Sequence, residues 1–211
     1  DALAVVKNSQ KNDSDMVMAG TVKLFSDGVT ESATAVMTEP YLESAGMGTD
    51  WKGEPVWQEG FHEMVAALDK EGVQLHVHAI GDGAVKDTLD SYEEAQEANG
   101  ERDSRHTMTH VCAIRDEDIQ RVADLKVLCA LQYLWMYADP LYELEAAFIG
   151  EERALAMYPT QKMIDAGCML CGASDAPVTP SNGLDEIAAL SYTPLTLPTK
   201  RIVSISWVFV S

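Results

Sequence analysis

Short apolar runs alternate with longer amphipathic stretches along most of this chain, and this alternation limits the folds that it can adopt. The runs have the length and apolar character of buried strands, and the stretches between them have helical spacing of apolar residues. Five runs are predicted as strands: Thr21–Phe25, Val73–Val77, His106–Val111, Val127–Leu131 and Cys168–Ala173. The alternation of strands and helices along the chain predicts βα units on a parallel sheet, which is either doubly wound or closed as a (β/α)8 barrel. A closed barrel needs eight strands, so the barrel interpretation requires the first three to be missing.

The structure of the segments between the strands is predicted from the spacing of their apolar residues and from the positions of glycine and proline. Apolar residues recur at helical spacing over 58–71, 84–98 and 159–166, and another helix is expected to begin at Asp116. Residues 29–57 differ, because glycines and prolines interrupt them without any regular period. We therefore expect these helices between the strands, acidic helices after the irregular segment around Tyr133–Pro140, and one long loop or insertion after the first strand.

The two ends of the chain fit this pattern poorly. Residues 1–20 are polar and weakly patterned, and they predict a loop or part of a preceding helix. Residues 191–211 end in a continuous apolar run without an obvious turn or partner, which would promote aggregation if it were exposed. The chain is therefore divided into a lead-in segment (1–20), an α/β unit (21–190) and an atypical apolar tail (191–211).

Acidic residues greatly outnumber basic ones, with 34 Asp and Glu against 15 Lys and Arg, for a net charge of −19. This charge argues against nucleic acid and anionic membrane surfaces as partners. No apolar run is long enough to span a bilayer, and no signal peptide is visible. The chain begins with Asp1 rather than Met, so we expect that it is processed or truncated. Our expectation is a cytoplasmic protein that binds neither nucleic acid nor membranes.

Polar residues fall at or near the carboxyl ends of the predicted strands: Lys23, His76, His78, His110 and Asp175. In (β/α)8 enzymes the active site is built at that end from several strands. His110 follows His78 by 32 residues and Asp175 follows His110 by 65, about one and two βα units. Two imidazoles and a carboxylate from neighbouring strands suit a divalent ion such as zinc.

Each of these residues also has an ordinary structural explanation. His110 alone would more often be a hydrogen-bonded core histidine, Lys23 a solvated lysine, and Asp175 the cap of a turn. His76 shares a strand face with His78 but lies deeper, where a hydrogen-bonded supporting role is more common. The set is therefore more informative than any of its members.

Four segments of the sequence resemble, in the same order, the amidohydrolase superfamily. They are Val-Lys-Leu-Phe-Ser-Asp-Gly at 22–28, Leu-His-Val-His-Ala-Ile-Gly-Asp at 75–82, Thr-His at 109–110 and Gly-Ala-Ser-Asp-Ala-Pro-Val at 172–178. The likeness is to amidohydrolase family 3, which includes the N-substituted formamide deformylases and related hydrolases. The string His-Ala-Ile-Gly-Asp is the most specific of these matches, which together span residues 20–185.

The resemblance implies a metal-dependent hydrolase barrel, of which residues 21–190 would form strands four to eight. It implies hydrolysis of amide or other non-peptide C–N bonds of a small molecule by metal-activated water, with one or two zinc ions. Four residues would be metal ligands: Lys23, His78, His110 and Asp175. Lys23 would be carboxylated and bridge two metals, and Asp175 would also serve as the general base. His76 and Asp82 would support a ligand or contact the substrate.

The sequence also departs from the family pattern. The His-x-His pair of the first barrel strand has no counterpart before Lys23, and the flanking β-sandwich is absent. We therefore expect little or no turnover by these residues alone, and either self-association through exposed sheet edges or pairing with the missing part of the barrel. The alternatives are a non-catalytic or regulatory fragment with an incomplete metal site, and an unrelated α/β protein with coincidental histidines.

Substrate specificity is expected to come from the loops that follow the strands. The long loop 29–57 and the segment Tyr133–Tyr142 are the candidates, because each carries aromatic residues. Those aromatic residues, which would line a pocket or serve only as packing, are Trp51, Trp57, Trp135 and Tyr137.

Overall fold

The computed structural model describes residues 2–57, 59–136 and 140–192, and its centre is a five-stranded parallel sheet. The strands are β1 (Thr21–Phe25), β2 (Gln74–Ala79), β3 (Thr107–His110), β4 (Leu128–Leu131) and β5 (Met169–Gly172). They lie side by side in chain order, so every strand pairs with its neighbours in the sequence. The predicted parallel α/β sheet and its five strands are confirmed.

Helices precede, connect and follow the strands. They are α1 (Ala2–Ser9), α2 (Phe61–Lys70), α3 (Asp82–Asn99), α4 (Asp116–Asp124), α5 (Pro140–Ile149), α6 (Glu151–Ala156), α7 (Thr160–Asp165) and α8 (Gly183–Tyr192). The predicted helices form, with α2 starting later than expected because Gly60 has a φ of +82°. Helix α8 was not predicted, and it crosses the expected boundary at residue 190. No helix in the described parts of the chain is both long and apolar enough to cross a membrane.

One face of the sheet forms the hydrophobic core together with the helices. Val77, Met108 and Cys129 are neighbours in the strand register, and all three are fully buried. They share one core with Val65 of α2 and Leu89 of α3. The period of two along each strand places their sequence neighbours on the opposite face.

The opposite face of the sheet is more open. Phe25 of β1 is 50% exposed and Met169 of β5 is 48% exposed, although both lie on strands. The polar residues predicted at the strand ends lie mainly on this side of the sheet, where Lys23 and Asp175 are exposed and His78 and His110 are buried.

The long loop 29–57 is irregular apart from short 3₁₀ turns, as predicted, and hydrogen bonds join its parts. Trp51 donates its indole N–H to the carbonyl of Ala33 at 2.6 Å, and the Tyr41 hydroxyl donates to the carbonyl of Ala35 at 2.8 Å. Ala33 and Ala35 are buried. Trp51 therefore packs within the loop. The tail beyond residue 192 and Tyr137 lie outside the described residues, and the expected division of the chain at 20 and 190 stays a prediction.

Candidate metal centre

The strand register brings the predicted site residues to one end of the sheet. Lys23 of β1 lies beside His76 of β2, and Phe25 lies beside His78. One strand further, His110 at the end of β3 lies beside Ala79 of β2. Since the strands are parallel, their carboxyl ends meet at the same edge, which is where ligands bind in α/β proteins.

The rings of His78 and His110 are in contact. Their centroids are 4.4 Å apart, with an angle of 68° between the planes. Strand alternation alone would place His110 on the face of its neighbour Ala79, away from His78. The backbone of His110 is left-handed instead, with a φ of +79°, and Val111 follows with +46°. This turn ends β3 and allows the two imidazoles to meet.

His78 carries its proton on Nε2. That nitrogen lies 2.8 Å from the carbonyl oxygen of Gly28, and a carbonyl only accepts hydrogen bonds. The neutral ring therefore has its lone pair on Nδ1. The carboxylate of Asp27 is further away, with Oδ1 3.5 Å from Nε2.

His110 has the opposite tautomer. Its Nδ1 lies 2.8 Å from Oε1 of Gln132, and the amide nitrogen of Gln132 donates to the hydroxyl of Thr109 at 3.3 Å. This orientation of the amide makes Nδ1 the donor and leaves the lone pair on Nε2. The ring of Trp135 stacks on His110 with centroids 5.0 Å apart and planes 6° from parallel. Trp135 therefore belongs to the site, whereas Trp57 donates its N–H to the carbonyl of Phe25.

Both imidazoles are held in the neutral form. Burial lowers the pKa of His110 to about 3, with a further lowering by His78 that outweighs the opposing hydrogen bond to Gln132. Burial also lowers the pKa of His78. The hydrogen bond to Gly28 opposes this shift, and the positive charge of Lys23 lowers the pKa further. Neutral imidazole is the form that binds metal ions.

Lys23 and Asp175 lie close enough to these rings to influence them. Burial lowers the pKa of Lys23, and the negative charge of Asp175 opposes the shift. The same charge of Asp175 acts on His76 and His78, raising the pKa of each ring against the effect of burial. Asp175 follows β5 with a left-handed backbone, at a φ of +52°, and is exposed.

The described residues do not by themselves form a complete metal site. Within the described ranges, no group of three or more His, Cys, Asp or Glu side chains is close enough to hold an ion. The structure thus brings His78 and His110 into contact and places Lys23 and Asp175 within electrostatic range. The assignment of the last two as metal ligands stays a prediction.

The two residues expected in supporting roles lie in different places. His76 is half-buried beside Lys23, one position deeper than His78 along the open face, and burial followed by the charge of Lys23 lowers its pKa. Asp82 instead accepts a hydrogen bond from the backbone N–H of Thr38 at 2.9 Å, and another from the Thr38 hydroxyl. It therefore holds the long loop at the start of α3, and it supports no histidine ring in these contacts.

Two residues that the sequence did not single out are part of the site. Gln132 directly follows β4, so the rule that selected the strand-end histidines would also have selected it. Asp27 is buried and accepts three backbone N–H bonds, from Val36, Ile80 and Gly81. Burial raises the pKa of Asp27 to about 7, although these N–H donors lower it. Nothing in its sequence context predicted these long-range partners.

A sequence profile described as the amidohydrolase family matches residues 1–193. The protein LONG AFTER FAR-RED 3 of Arabidopsis thaliana is 32% identical over 177 residues, which cover 82% of this chain and 29% of that protein. The putative amidohydrolase YtcJ of Bacillus subtilis (strain 168) is 27% identical over 166 residues, which cover 78% of this chain and 30% of that protein. The chain thus spans less than a third of the length of these curated relatives.

The fold resembles that of an uncharacterized metal-dependent hydrolase from Pyrococcus furiosus, with a TM-score of 0.73 and 24% sequence identity. The likeness covers 92% of this chain and 40% of that one. Because the identity is low, it bears on the fold alone. Together with the family match, it confirms the predicted fold class, a part of a (β/α)8 barrel of the metal-dependent hydrolase type.

Proposed function

The chain belongs to the amidohydrolase family, and on that premise we propose that it contributes half of the metal site of a metal-dependent hydrolase. Family membership and fold support a hydrolase function. The proposed reaction is the attack of water on an amide or other non-peptide C–N bond of a small molecule, with zinc as the ion. The missing ligands would come from outside these 211 residues, since the chain spans under a third of its curated relatives.

The contact between His78 and His110 is the observation that carries this proposal. Two neutral imidazoles meet at the carboxyl end of a parallel sheet, with the lone pair of one on Nδ1 and of the other on Nε2. In each ring the second nitrogen donates to an oxygen of the protein, the arrangement that orients metal-binding histidines. The donor set of imidazole nitrogens and a carboxylate fits zinc.

A bound divalent ion would lower the pKa of water toward ~7 and polarise the carbonyl of the substrate. Asp175 is proposed to accept the proton of that water on its carboxylate and to return it to the leaving nitrogen. The exposed position of Asp175 after β5 gives it access to solvent and substrate. Lys23, whose pKa is lowered by burial, would more readily supply the neutral amine that carboxylation requires.

Zinc binding by the purified chain tests the proposal. We expect about one equivalent of zinc, measured by equilibrium dialysis, and a loss of at least ~100-fold in affinity for His78→Ala and His110→Ala, because removing a ligand should cost more than removing its supporting partner. His62→Ala is the matched control, since His62 is a histidine of α2 that contacts Asp87 and Glu94 instead. Absence of bound zinc in the parent would favour a non-catalytic fragment, and equal loss in the control would refute the assignment of the two histidines.

One observation favours the alternative of a non-catalytic or regulatory fragment. Among the residues that the structure describes, no three potential ligands are close enough to hold an ion. The two possibilities differ in catalysis by the intact parent protein, where His110→Ala and Asp175→Asn should each abolish metal-dependent hydrolysis. Near-parental activity of either variant would reject our assignment of the site. The 211-residue chain alone is expected to show little turnover.

A further inference from the structure

Asp27 joins three separate segments through one buried carboxylate. It follows β1, and its side chain is 0% exposed. Oδ2 accepts from the backbone N–H of Val36 and of Gly81, both at 2.9 Å, and Oδ1 accepts from that of Ile80 at 3.0 Å. Val36 belongs to the long loop, and Ile80 and Gly81 form the turn between β2 and α3. The carboxylate therefore fixes the long loop against that turn.

The fit between loop and turn is close. A Cβ at Gly81 would lie 2.0 Å from the carbonyl oxygen of Val36, so only glycine fits there without a shift. That same carbonyl accepts the N–H groups of Gly83 at 2.9 Å and Ala84 at 3.2 Å, in the first turn of α3. Val36 of the loop is thus held at both of its backbone groups, with its N–H bonded to Asp27 and its carbonyl bonded to the start of α3.

The contacts of Asp27 also fix the position of the Gly28 carbonyl, which is the hydrogen-bond partner of the His78 ring. Gly28 directly follows Asp27, and its carbonyl accepts the Nε2–H of His78 at 2.8 Å. On the other side of Asp27, the N–H of Ser26 donates to the carbonyl of His78 at 2.9 Å. Asp27 itself lies 3.5 Å from Nε2, so the nearer carbonyl of Gly28 is the partner of the ring.

We propose that Asp27 is a positioning residue whose three backbone hydrogen bonds place the Gly28 carbonyl so that His78 keeps its proton on Nε2 and its lone pair on Nδ1. The importance of this tautomer for hydrolysis rests on the function proposed above. The tautomer itself is a property of the metal-free chain. Asp27 thus acts through the backbone of its neighbour, without touching substrate or ion.

The ring ¹⁵N shifts of His78 test this directly. In metal-free parent protein above pH 7.5, with His78 assigned by its loss in His78→Gln, we expect the pattern of a single Nε2–H tautomer. Asp27→Asn keeps the shape but turns an amide NH₂ toward at least one backbone N–H, so His78 should show a mixture of tautomers. The zinc affinity of the Asp27→Asn protein should be about 10- to 100-fold lower than that of the parent, as is typical when a residue that supports a metal ligand is lost.

Asp69→Asn is the matched control. Asp69 is also a buried carboxylate that contacts a histidine, His106 at 2.9 Å, but it lies at the other end of the sheet. This variant should lose stability and leave the His78 shifts unchanged, which separates positioning from a general loss of stability. A single Nε2–H tautomer retained in folded Asp27→Asn, or the same change in both variants, would overturn the proposal.

If Asp27→Asn does not fold, the ring ¹⁵N shifts of His78 in the parent protein still test the proposal. A parent His78 that carries its proton on Nδ1, or that populates both tautomers, would overturn the proposal without any variant. Because these measurements use metal-free protein, failure to bind zinc would refute only the proposed function. The wrong tautomer would refute the role of Asp27, whereas the proposed zinc binding is tested by its own measurement in His78→Ala and His110→Ala.

Discussion

Three buried histidines differ in how their ring nitrogens are used. The Nδ1 of His106 accepts the N–H of Leu75 at 3.2 Å, and its Nε2 donates to Asp69 at 2.9 Å. Both nitrogens of His106 are thus engaged within the protein, as in a structural histidine. In His78 and His110 one nitrogen donates to an oxygen of the protein, and within the described ranges the other has no hydrogen-bond partner for its lone pair. At the scale of single residues, this difference separates the candidate ligands from a core histidine.

The low pKa of His110 predicts a dependence of stability on pH. Its pKa in the folded protein is about 3 because of burial first and of His78 second, whereas the ordinary value is 6.5. Below pH 6.5 the unfolded chain takes up a proton that the folded chain excludes, so stability is full above that pH and falls toward pH 3. The contribution is about 1.4 kcal/mol per pH unit, or about 2 kcal/mol at pH 5.

Urea unfolding in EDTA at pH 7 and pH 5 measures this effect. His110→Gln should lose stability less steeply between these pH values than the parent. His62→Gln is the control, because burial lowers the pKa of His62 but its hydrogen bonds to the carboxylates of Glu94 and Asp87 outweigh this and raise that pKa overall. Removing the His62 ring should therefore not reduce the stability that is lost between pH 7 and pH 5. An unchanged slope in His110→Gln would disprove the prediction.

The sequence predicted some of the site residues and missed others for a physical reason. His78 and His110 are recognisable because a polar residue near the end of an apolar strand is unusual. Gln132 and Asp27 act through atoms of other segments, and those partners are known only once the chain is folded. The tautomers of the two histidines depend on the same long-range contacts, so no sequence pattern predicts them.

At the scale of elements, the turn between β2 and α3 explains why the string His-Ala-Ile-Gly-Asp is restrictive. Ile80 and Gly81 donate to Asp27, and Asp82 accepts from Thr38. Glycine at position 81 leaves room for the carbonyl of Val36. The string therefore serves to attach the long loop as well as to supply a histidine.

Gly81→Ala tests this attachment. Gly81 has an ordinary φ of −75°, so alanine adds no backbone strain and the cost comes from the contact of its Cβ with the Val36 carbonyl. We expect a destabilisation of about 3 kcal/mol, at the upper end for overpacking, in urea unfolding. Gly20→Ala, where nothing lies within 4 Å of the added Cβ, should change stability by less than ~1 kcal/mol. Equal effects of the two substitutions would contradict the prediction.

Regular elements with strong periodicity were predictable from the sequence, and α8 was not. Apolar residues in Gly183–Tyr192 are concentrated in the run 187–190, which on a helix faces all sides and so marks no single apolar face. The helix start is marked by Asn182, whose side-chain oxygen accepts the N–H of Leu184 at 3.2 Å. Leu184 is 72% exposed, so burial does not explain its apolar character.

At the scale of the whole molecule, the edge strand β5 and the open face of the sheet predict self-association. Met169 of β5 is 48% exposed, and an edge strand presents unpaired backbone groups. We expect reversible association in sedimentation velocity, increasing with salt as the repulsion between chains of charge −19 is screened. Met169→Lys should reduce it, because charge on an edge strand opposes pairing.

Met16→Lys is the control for this prediction. Met16 is 91% exposed in the segment before β1, so the substitution adds the same charge away from the sheet. A parent that remains monomeric at all salt concentrations would show that the open sheet does not drive association. Equal dissociation by the two substitutions would assign the effect to charge alone.

The order of the strands has a consequence for how the chain reaches its fold. Parallel sheets usually fold slowly, because their contacts join residues far apart in the sequence and long loops must close first. Here each strand lies beside its immediate neighbours in the chain, so pairing closes the chain one βα unit at a time. The entropy cost of each closure is modest. Structure can therefore begin at any neighbouring pair of strands and spread along the sheet, as it does in proteins built of repeats.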